Sequence, residues 1–433
     1  MKKAISAAFK WTILILSVFL GIISAFVGFL LGAVVASNTW VLILLGLGTC
    51  LLVSFGLSWT IGGKIFRANR TRIALWISLS VVVTVIAIST LTIFKPLVPS
   101  SEIIKPLIPP EIDYWNLETG SKIAYLKIPA IEKVFETPVI FLHGGPGGGV
   151  VTFPPIKDVI SNLSENGYDV YFYDQIGGGI SGRLKNITEY TLSRHVRDLE
   201  NIRVKIGASK LILIGESFGG VLATHYAANH PENLEKLVLI SPGELISDEW
   251  DEKSAGGIKD RASDETGVKF EGILKNPRVF FAYLLLYINP DAAYMFLPGP
   301  EADSLITKMF HLLLGGMACD PKKFPVDHDV VFGFWATFFP DEFPEAVDQD
   351  LKNRIRSLSV PVLILKAECD YLKWKVTYEY KTLMPNSILL YIEGAGHMPF
   401  LEKPGLVLDS IRSFLNDQPL PLPEYENSTP PRK

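Results

Sequence analysis

The sequence is poor in cysteine, which limits the kinds of site that it can build. Its 433 residues include three cysteines, Cys50, Cys319 and Cys369. Their spacing matches neither a metal-binding pattern nor the disulfide framework of a small secreted domain. Cys50 falls within a long apolar run. A bridge between Cys319 and Cys369 is conceivable outside the cytoplasm, but chain spacing does not decide whether it forms.

An excess of positive charge is also missing. Lysine and arginine number 41 against 45 aspartate and glutamate residues, so the formal net charge is -4. Proteins that bind nucleic acid usually present a dominant basic face. The charge balance therefore argues against a nucleic-acid partner.

Charged residues are absent from three long apolar runs near the N-terminus, at about residues 11–36, 40–61 and 73–94. Each run reaches the roughly 20 residues that cross a bilayer. Three consecutive core helices of a soluble domain would need charged outer faces, and a cleavable signal peptide would have a shorter apolar region. The sequence therefore predicts three transmembrane helices that form a membrane anchor over residues 1–94.

Basic residues near these runs predict the orientation of the anchor. The loop between the first two runs, residues 37–39, contains none. The N-terminal tail and the loop before the third run are basic, and the positive-inside rule assigns them to the cytoplasm. Because the number of spans is odd, the rest of a multi-pass chain is expected outside the cytoplasm. The basic residues in question are Lys2, Lys3, Lys10, Lys64, Arg67, Arg70 and Arg72.

The remaining chain divides into four kinds of segment. Prolines between residues 95 and 112 predict an extended linker. Strands that alternate with helices predict an α/β core over residues 113–242 and 351–417, with a doubly wound, mostly parallel sheet. Residues 243–350 lack the strand pattern and are rich in aromatic residues and prolines, which predicts an inserted helical cap. The proline-rich residues 418–433 are expected to be disordered.

A G-x-S-x-G segment, Gly215–Gly219, follows the apolar run Leu211–Ile214 and precedes a helix pattern. A strand that leads through such a segment into a helix is the setting of a nucleophile elbow, which holds a serine hydroxyl clear of the sheet. Taken alone, the motif also fits an ordinary glycine-rich turn. Ser217 is the candidate nucleophile.

Three further stretches follow predicted strands and would meet Ser217 at one edge of the sheet. The run that begins at His143 has the H-G-G pattern of an oxyanion-hole loop, and it lacks the lysine of a phosphate-binding loop. An acid follows at Glu368 or Asp370, and Asp370 lies farther beyond the strand. His397 is the one of seven histidines on a glycine-rich loop after a late strand. Serine, acid and histidine in this order are typical of α/β-hydrolases.

Residues from about 138 to 400 resemble the proline iminopeptidase branch of the α/β-hydrolases. The resemblance rests on three motifs in order: H-G-G-P-G-G at 143–148, D-Q-I-G-G-G-I-S at 174–181 and G-E-S-F-G-G at 215–220. One position departs from the branch, since Ile176 stands where arginine is usual. The three motifs together specify the superfamily closely.

The resemblance implies a role for individual residues. Ser217 would be the nucleophile, with Asp370 and His397 as its partners in a Ser-His-Asp triad. The backbone amides of Gly145 and Phe218 would form the oxyanion hole. No cofactor or metal is implied.

The branch also binds the free amino terminus of its substrate through glutamates of the cap. Glu244 is the best candidate here, because it follows a strand end and is close in the chain to the site. Glu249 and Glu271 are looser candidates. A substrate ammonium group in a partly desolvated pocket requires such a carboxylate.

These observations favour a membrane-anchored serine hydrolase that acts as an aminopeptidase of the proline iminopeptidase type on small peptides. An esterase or lipase that acts on acyl esters is an alternative, which an aromatic cap would suit. A catalytically silent hydrolase fold used for binding is a third possibility. The expected partners are the substrate and the lipid bilayer.

Overall fold

The computed structural model describes residues 2–65, 69–246, 256–261, 264–323, 330–342, 344–346 and 348–431. Arg67 and Glu249 lie outside these ranges. The chain forms two compact units. We call Met1–Pro99 with Gly272–Glu301 the helical unit, and Ser100–Glu271 with Ala302–Lys433 the sheet unit.

Helices and strands are numbered here in chain order. The helices are α1 Lys2–Ala33, α2 Thr39–Ile65, α3 Arg70–Leu91, α4 Pro154–Ile160, α5 Leu192–Lys205, α6 Phe218–Asn229, α7 Asp264–Leu274, α8 Pro277–Ile288, α9 Pro290–Phe296, α10 Gly299–Leu313, α11 Phe334–Glu342, α12 Leu351–Arg356, α13 Trp374–Leu383 and α14 Pro404–Leu415. The strands are β1 Asp113–Asn116, β2 Lys122–Ile128, β3 Val139–Leu142, β4 Val170–Tyr173, β5 Leu211–Glu216, β6 Leu234–Ile240, β7 Val362–Cys369 and β8 Ser387–Gly396.

The long helices of the helical unit correspond to the three apolar runs of the sequence. Two of them are long and apolar enough to cross a bilayer by length and composition, over Thr39–Thr60 in α2 and Arg70–Leu91 in α3. In α1 the apolar segment found is shorter, Val18–Ala33. The structure thus gives two candidate spans where the sequence predicts three, because several α1 side chains before Val18 lie outside the described residues.

Small residues bring α1 and α2 close together. A Cβ atom on Gly28 would lie 2.4 Å from Oγ1 of Thr49, and one on Gly46 would lie 2.7 Å from the carbonyl oxygen of Ala25. Helices that meet through small residues can pack their backbones tightly without polar contacts. Gly28 and Gly46 therefore serve helix packing, whereas a Cβ atom on Gly48 would meet nothing within 4 Å.

Helices α8 and α9 belong to the helical unit by their contacts, although the sequence analysis assigns residues 243–350 as a whole to the cap. The ring of Phe281 in α8 lies 5.7 Å from that of Phe26, and Asn289 donates a hydrogen bond to the carbonyl of Ala33. The amino-acid pattern of this region indicates apolar helices, but it does not show which other helices they contact. The predicted cap therefore does not include all of residues 243–350.

In the described part of the sheet unit, eight strands form one sheet in the order β1-β2-β4-β3-β5-β6-β7-β8. The pairings from β4 to β8 are parallel, and β2 is antiparallel to both β1 and β4. Every residue of β3, β4 and β5 is buried. Apolar strands that are covered on both faces are typical of a doubly wound sheet, and the strand order confirms the predicted mostly parallel α/β sheet.

Two segments with a proline-rich composition make ordered contacts. In the linker, which composition predicts to be extended, Ile104 donates its amide hydrogen to Oγ of Ser304. In the C-terminal tail, which composition predicts to be disordered, Tyr425 donates its amide hydrogen to the carbonyl of Leu389 at 2.7 Å. Its ring also packs against Trp374. Aromatic packing orders a tail whose prolines alone would leave it extended.

Candidate active site

The elbow lies between β5 and α6. Ser217 has φ 54° and ψ -122°, in the left-handed half of backbone space that non-glycine residues rarely adopt. A Cβ atom on Gly219 would lie 2.0 Å from the carbonyl oxygen of Leu142, and one on Gly215 would lie 2.3 Å from that of Gly219. Only glycine fits these two positions, because strand, helix and the neighbouring strand meet there.

The predicted acid and histidine follow β7 and β8, which are adjacent. Nδ1 of His397 lies 2.7 Å from Oδ1 of Asp370, and both side chains are buried. Glu368, the alternative acid, instead accepts a hydrogen bond from the amide of Gly394. The structure thus brings Asp370, rather than Glu368, to the imidazole.

Tyr371 is a further neighbour of this pair, and it was not predicted from the sequence. Its hydroxyl lies 3.2 Å from Nε2 of His397. Burial raises the pKa of the Tyr371 phenol well above its ordinary value, so the group stays neutral. Its position directly after Asp370 is the one signal in the sequence, and it is weak.

A buried lysine balances the charge of the acid. Lys366 lies on β7 and donates a hydrogen bond to Oδ2 of Asp370 at 2.7 Å. Burial opposes the charged form of Asp370, but Lys366 and His397 outweigh burial and hold its pKa well below the usual range. Asp370 is therefore an anion that uses one oxygen for the imidazole and the other for the lysine.

The same charges act on the histidine. Burial favours the neutral form of His397, but the carboxylates of Asp370 and Glu216 outweigh it and raise its pKa. Lys366 works in the opposite direction. A histidine held by an anion in this way can accept a proton from a neighbouring hydroxyl.

The glycine-rich loop after β3 lies beside the elbow, since Leu142 pairs with Gly215 in the sheet. A Cβ atom on Gly144 would lie 3.0 Å from that of Ser217. Gly145 is the next residue of this loop, and Phe218 opens α6, whose first N–H groups have no intrahelical acceptor. Both predicted oxyanion-hole residues therefore belong to segments that border Ser217.

His143 shapes this loop rather than carrying a charge. Its Nε2 accepts a hydrogen bond from the amide of Gln175, and Nδ1 lies 2.7 Å from the carbonyl oxygen of Gly144. Burial lowers the pKa of His143. A neutral imidazole with both nitrogens engaged by the backbone is a structural element of the loop.

The D-Q-I-G-G-G-I-S segment supports the same loop from below. Asp174 accepts hydrogen bonds from the amides of Val150 and Val151 through one oxygen and from Ile180 through the other. Ile176, the departure from the branch, is buried. A guanidinium reaches this turn from Arg183, which donates to backbone carbonyls of Gly178, Gly179 and Ser181.

Two further carboxyl groups lie near the imidazole. Oε1 of Glu216 is 3.7 Å from Nε2 of His397, and its other oxygen accepts the amide hydrogen of Gly144 at 3.0 Å. Glu244 follows β6, and its pKa responds to the charges of His397 and Asp370. Burial raises the pKa of both glutamates. Glu244 is the candidate predicted from the sequence, and Glu216 was not predicted because it lies inside the G-x-S-x-G motif.

A disulfide joins Cys319 to Cys369, with the Cα atoms 5.2 Å apart. This is the pairing that chain spacing left open. Cys369 ends β7 directly before Asp370, and the amide of Cys319 donates to Glu402, which also accepts the amide hydrogen of Gly396. The bridge therefore connects the segment after α10 to the loops that carry Asp370 and His397.

Metal ligands are not grouped in the part of the chain that the structure describes. No cluster of three or more His, Cys, Asp or Glu side chains there could hold a metal ion.

Comparison with known proteins agrees with this architecture. Residues 137–404 match the family described as alpha/beta hydrolase fold. A proline iminopeptidase from Saccharolobus solfataricus is 27% identical over 287 residues, which cover 64% of this chain and 84% of that protein. One from Heyndrickxia coagulans is 26% identical over 308 residues, which cover 69% and 96%. The crystal structure of proline iminopeptidase from Mycobacterium smegmatis superimposes with a TM-score of 0.47 at 20% identity, covering 70% of this chain and 98% of that one. Because the matched residues 137–404 make up more than half of the chain, it belongs to the α/β-hydrolase fold family.

Proposed function

We propose that the protein is a membrane-anchored serine hydrolase in which Ser217 is the nucleophile, His397 the general base and Asp370 the acid that orients it. The observation that carries the proposal is the strained elbow at Ser217, next to Glu216, whose Oε1 lies 3.7 Å from Nε2 of the buried His397 that pairs with Asp370. A serine hydroxyl is a weak nucleophile at neutral pH, and an adjacent imidazole held by a carboxylate activates it.

The proposed reaction proceeds through an acyl-enzyme. His397 takes the hydroxyl proton as the oxygen of Ser217 attacks the acyl carbon. The amides of Gly145 and Phe218 would stabilise the oxyanion of the tetrahedral intermediate. His397 then gives the proton to the leaving group, and a water molecule releases the acyl group by the same route in reverse.

An aminopeptidase of the proline iminopeptidase type is the substrate assignment that the site supports best. Glu216 and Glu244 are carboxyl groups whose charged form burial disfavours, and a substrate ammonium group would offset that cost. The relatives that bear the name proline iminopeptidase, at about a quarter identity, agree with this assignment. We therefore expect the enzyme to act on small peptides or aminoacyl amides with a free amino terminus.

Paired substrates test the assignment. Unblocked aminoacyl amides should be cleaved much faster than their N-acetylated forms by the full-length protein. Glu244→Gln should narrow that preference by weakening the free-amine substrates alone. Glu232→Gln, a change at an exposed carboxylate, is the matched control and should leave it intact. Equal rates on free and blocked substrates, or activity confined to acyl esters, would instead assign an esterase.

The proposed anchor is supported by the helical unit. Large apolar side chains face outward from α1, α2 and α3, which is costly in water. Trp40 and Trp59, both exposed on α2, are separated by about 28 Å along its axis at a rise of roughly 1.5 Å per residue. That separation is close to the thickness of a hydrocarbon core, and tryptophan is enriched at its two boundaries. We include α1 as a third span because residues 11–36 carry no charge.

An extracytoplasmic sheet unit follows from three spans and the basic loops, and the disulfide supports it. Disulfides persist in oxidising compartments and are rare in the cytosol. Cysteine accessibility tests the orientation. A membrane-impermeant maleimide should label Val204→Cys, at an exposed position of α5, in intact cells, and should label Lys3→Cys only after permeabilisation. The opposite pattern would reverse the orientation.

A further inference from the structure

A cavity of about 580 Å³ lies within the helical unit, enclosed by α1, α2, α3, α8 and α9. Buried side chains such as Phe29, Ile93 and Phe296 line its interior, and the exposed Trp40, Ile86 and Met295 line its rim. None of its lining residues belongs to the sheet unit that carries Ser217. Its volume falls within the roughly 300–1,000 Å³ of sites that bind small molecules.

Polar contacts and aromatic packing hold α8 and α9 against the ends of α1 and α3 beside this cavity. The Arg278 guanidinium forms a buried pair with Glu301 at 2.9 Å and donates to the carbonyls of Ile93 and Phe296. The ring of Phe296 meets that of Phe29 edge to face at 6.1 Å. These contacts fix α8 and α9 to the other helices, so the space between them does not collapse.

The cavity lies at one end of the helical unit. Asn289 donates a hydrogen bond to Ala33 where α1 ends, and Arg278 does so to Ile93 just after α3 ends. Trp40 lies in the first turn of α2. With the orientation proposed above, these helix ends lie at the outer face of the membrane, and Trp40 marks the boundary between headgroups and hydrocarbon.

Size and chemistry together select the occupant. Apolar cavities exclude water and take up apolar molecules. A helix with its side chains is about 10 Å across, so this volume would hold little more than one turn of a partner's helix. An exposed apolar rim at the level of the outer leaflet is in contact with lipid. A single flexible hydrocarbon chain is apolar, fits this volume and can enter from the lipid at the rim.

We propose that this cavity binds one acyl chain of a membrane lipid from the outer leaflet. The inference rests on the proposed membrane anchor and is independent of the chemistry at Ser217. Lipid bound here would cover the apolar rim and fill the space between the anchor helices and the α8–α9 pair.

Photo-crosslinking tests the proposal on the full-length protein. The protein is reconstituted in vesicles of phosphatidylethanolamine and phosphatidylglycerol with a trace of phospholipid that carries a diazirine at the end of one acyl chain. After irradiation, mass spectrometry should find adducts concentrated on cavity residues such as Phe29, Phe281 and Met295. Equal labelling of the outward faces of α2 and α3, or crosslinking of a second copy through the cavity, would overturn the proposal.

Two variants of α3 test the cavity directly, and a third variant of the same helix is their matched control. Ser89→Phe fills the interior of the cavity and Thr90→Trp narrows its rim, so each should lower the cavity adducts at least about fivefold. Ile88→Phe places the same ring on an exposed position of the same helix that does not line the cavity, and should leave them unchanged. Unchanged adducts in both cavity variants would overturn the proposal even if one of them packed poorly.

Two further readouts on the same vesicles separate this proposal from the proposed function. Flotation on a density gradient reports the anchor, and cleavage of a soluble aminoacyl amide reports the hydrolase. A protein that floats and is active but shows no cavity adducts overturns the acyl-chain site alone. A protein that does not float overturns the anchor and the acyl-chain site together. Cavity adducts on a floating but inactive protein support the acyl-chain site and contradict the hydrolase.

Discussion

The helical unit and the sheet unit follow opposite rules of burial. In the helical unit, large apolar side chains such as Leu52 and Leu91 are each 73% exposed. In the sheet unit, charged side chains such as Lys366 and Asp370 are almost completely buried and are paired with each other. The contrast teaches that exposed apolar surface and buried charge each need a physical reason. Under the proposed function, that reason is contact with lipid for the apolar surface and catalysis for the buried charge.

Removal of the serine hydroxyl should have the largest effect. It tests whether the buried charges near Ser217 serve catalysis. Ser217→Ala should lower turnover on the order of a million-fold, as complete loss of a nucleophile does in comparable triads. Steady-state rates with an aminoacyl amide measure this. Near-normal activity in the alanine variant would mean that the elbow is not the reactive centre.

The acid should rank next. Asp370→Asn should cost roughly ten-thousand-fold in kcat, because an amide favours the wrong imidazole tautomer and does not stabilise its charge. Glu368→Gln is the matched control, since Glu368 is hydrogen-bonded to Gly394 and does not orient His397. A silent Asp370→Asn together with an inactive Glu368→Gln would transfer the role to Glu368.

A lysine on the exposed apolar surface of each unit tests the reason for that exposure. Leu52→Lys places a charge near the middle of α2 and should disfavour insertion by about 3 kcal/mol if the position faces lipid. Val204→Lys, at an exposed valine of the sheet unit, should have little effect. The carbonate-resistant fraction of each variant in membranes is the measurement. Equal behaviour of the two variants would show that the units face the same solvent.

The pH dependence of activity is the finest test of the buried charges. His397 acts as a base only when neutral, and its pKa is raised, so kcat/KM should fall on acidification with a midpoint above the ordinary value of about 6.5. Lys366 lowers the pKa of His397, so Lys366→Met should move that midpoint to higher pH. Lys381→Met, which removes a more exposed ion pair with Glu424, should not. A shift to lower pH would contradict the assigned charges.

Much of the sheet unit could be predicted because its signals are local. Apolar runs identify the central strands, and the glycines around Ser217 are required by the close crossing of strand and helix. The chain order of Ser217, Asp370 and His397 then identified the loops that the sheet brings to one edge. Strand β1 was missed because it has only four residues and is half exposed.

The features that sequence did not reveal depend on contacts between distant segments. Lys366 appears on a strand as an ordinary charged residue until the chain turns back at Asp370. Pairing of Cys319 with Cys369 requires the approach of two segments that are 50 residues apart. Residues 277–296 are recognisable as apolar helices, but only tertiary contacts assign them to the helical unit.

Identification of the residue that reacts with a fluorophosphonate tests the central claim most directly. The full-length protein is treated with the probe, digested and mapped by mass spectrometry. The account predicts a single adduct on Ser217 and none in the Ser217→Ala variant. An adduct on another serine, such as Ser241, which also has a positive φ and follows the adjacent strand β6, or persistent labelling of the alanine variant, would contradict it.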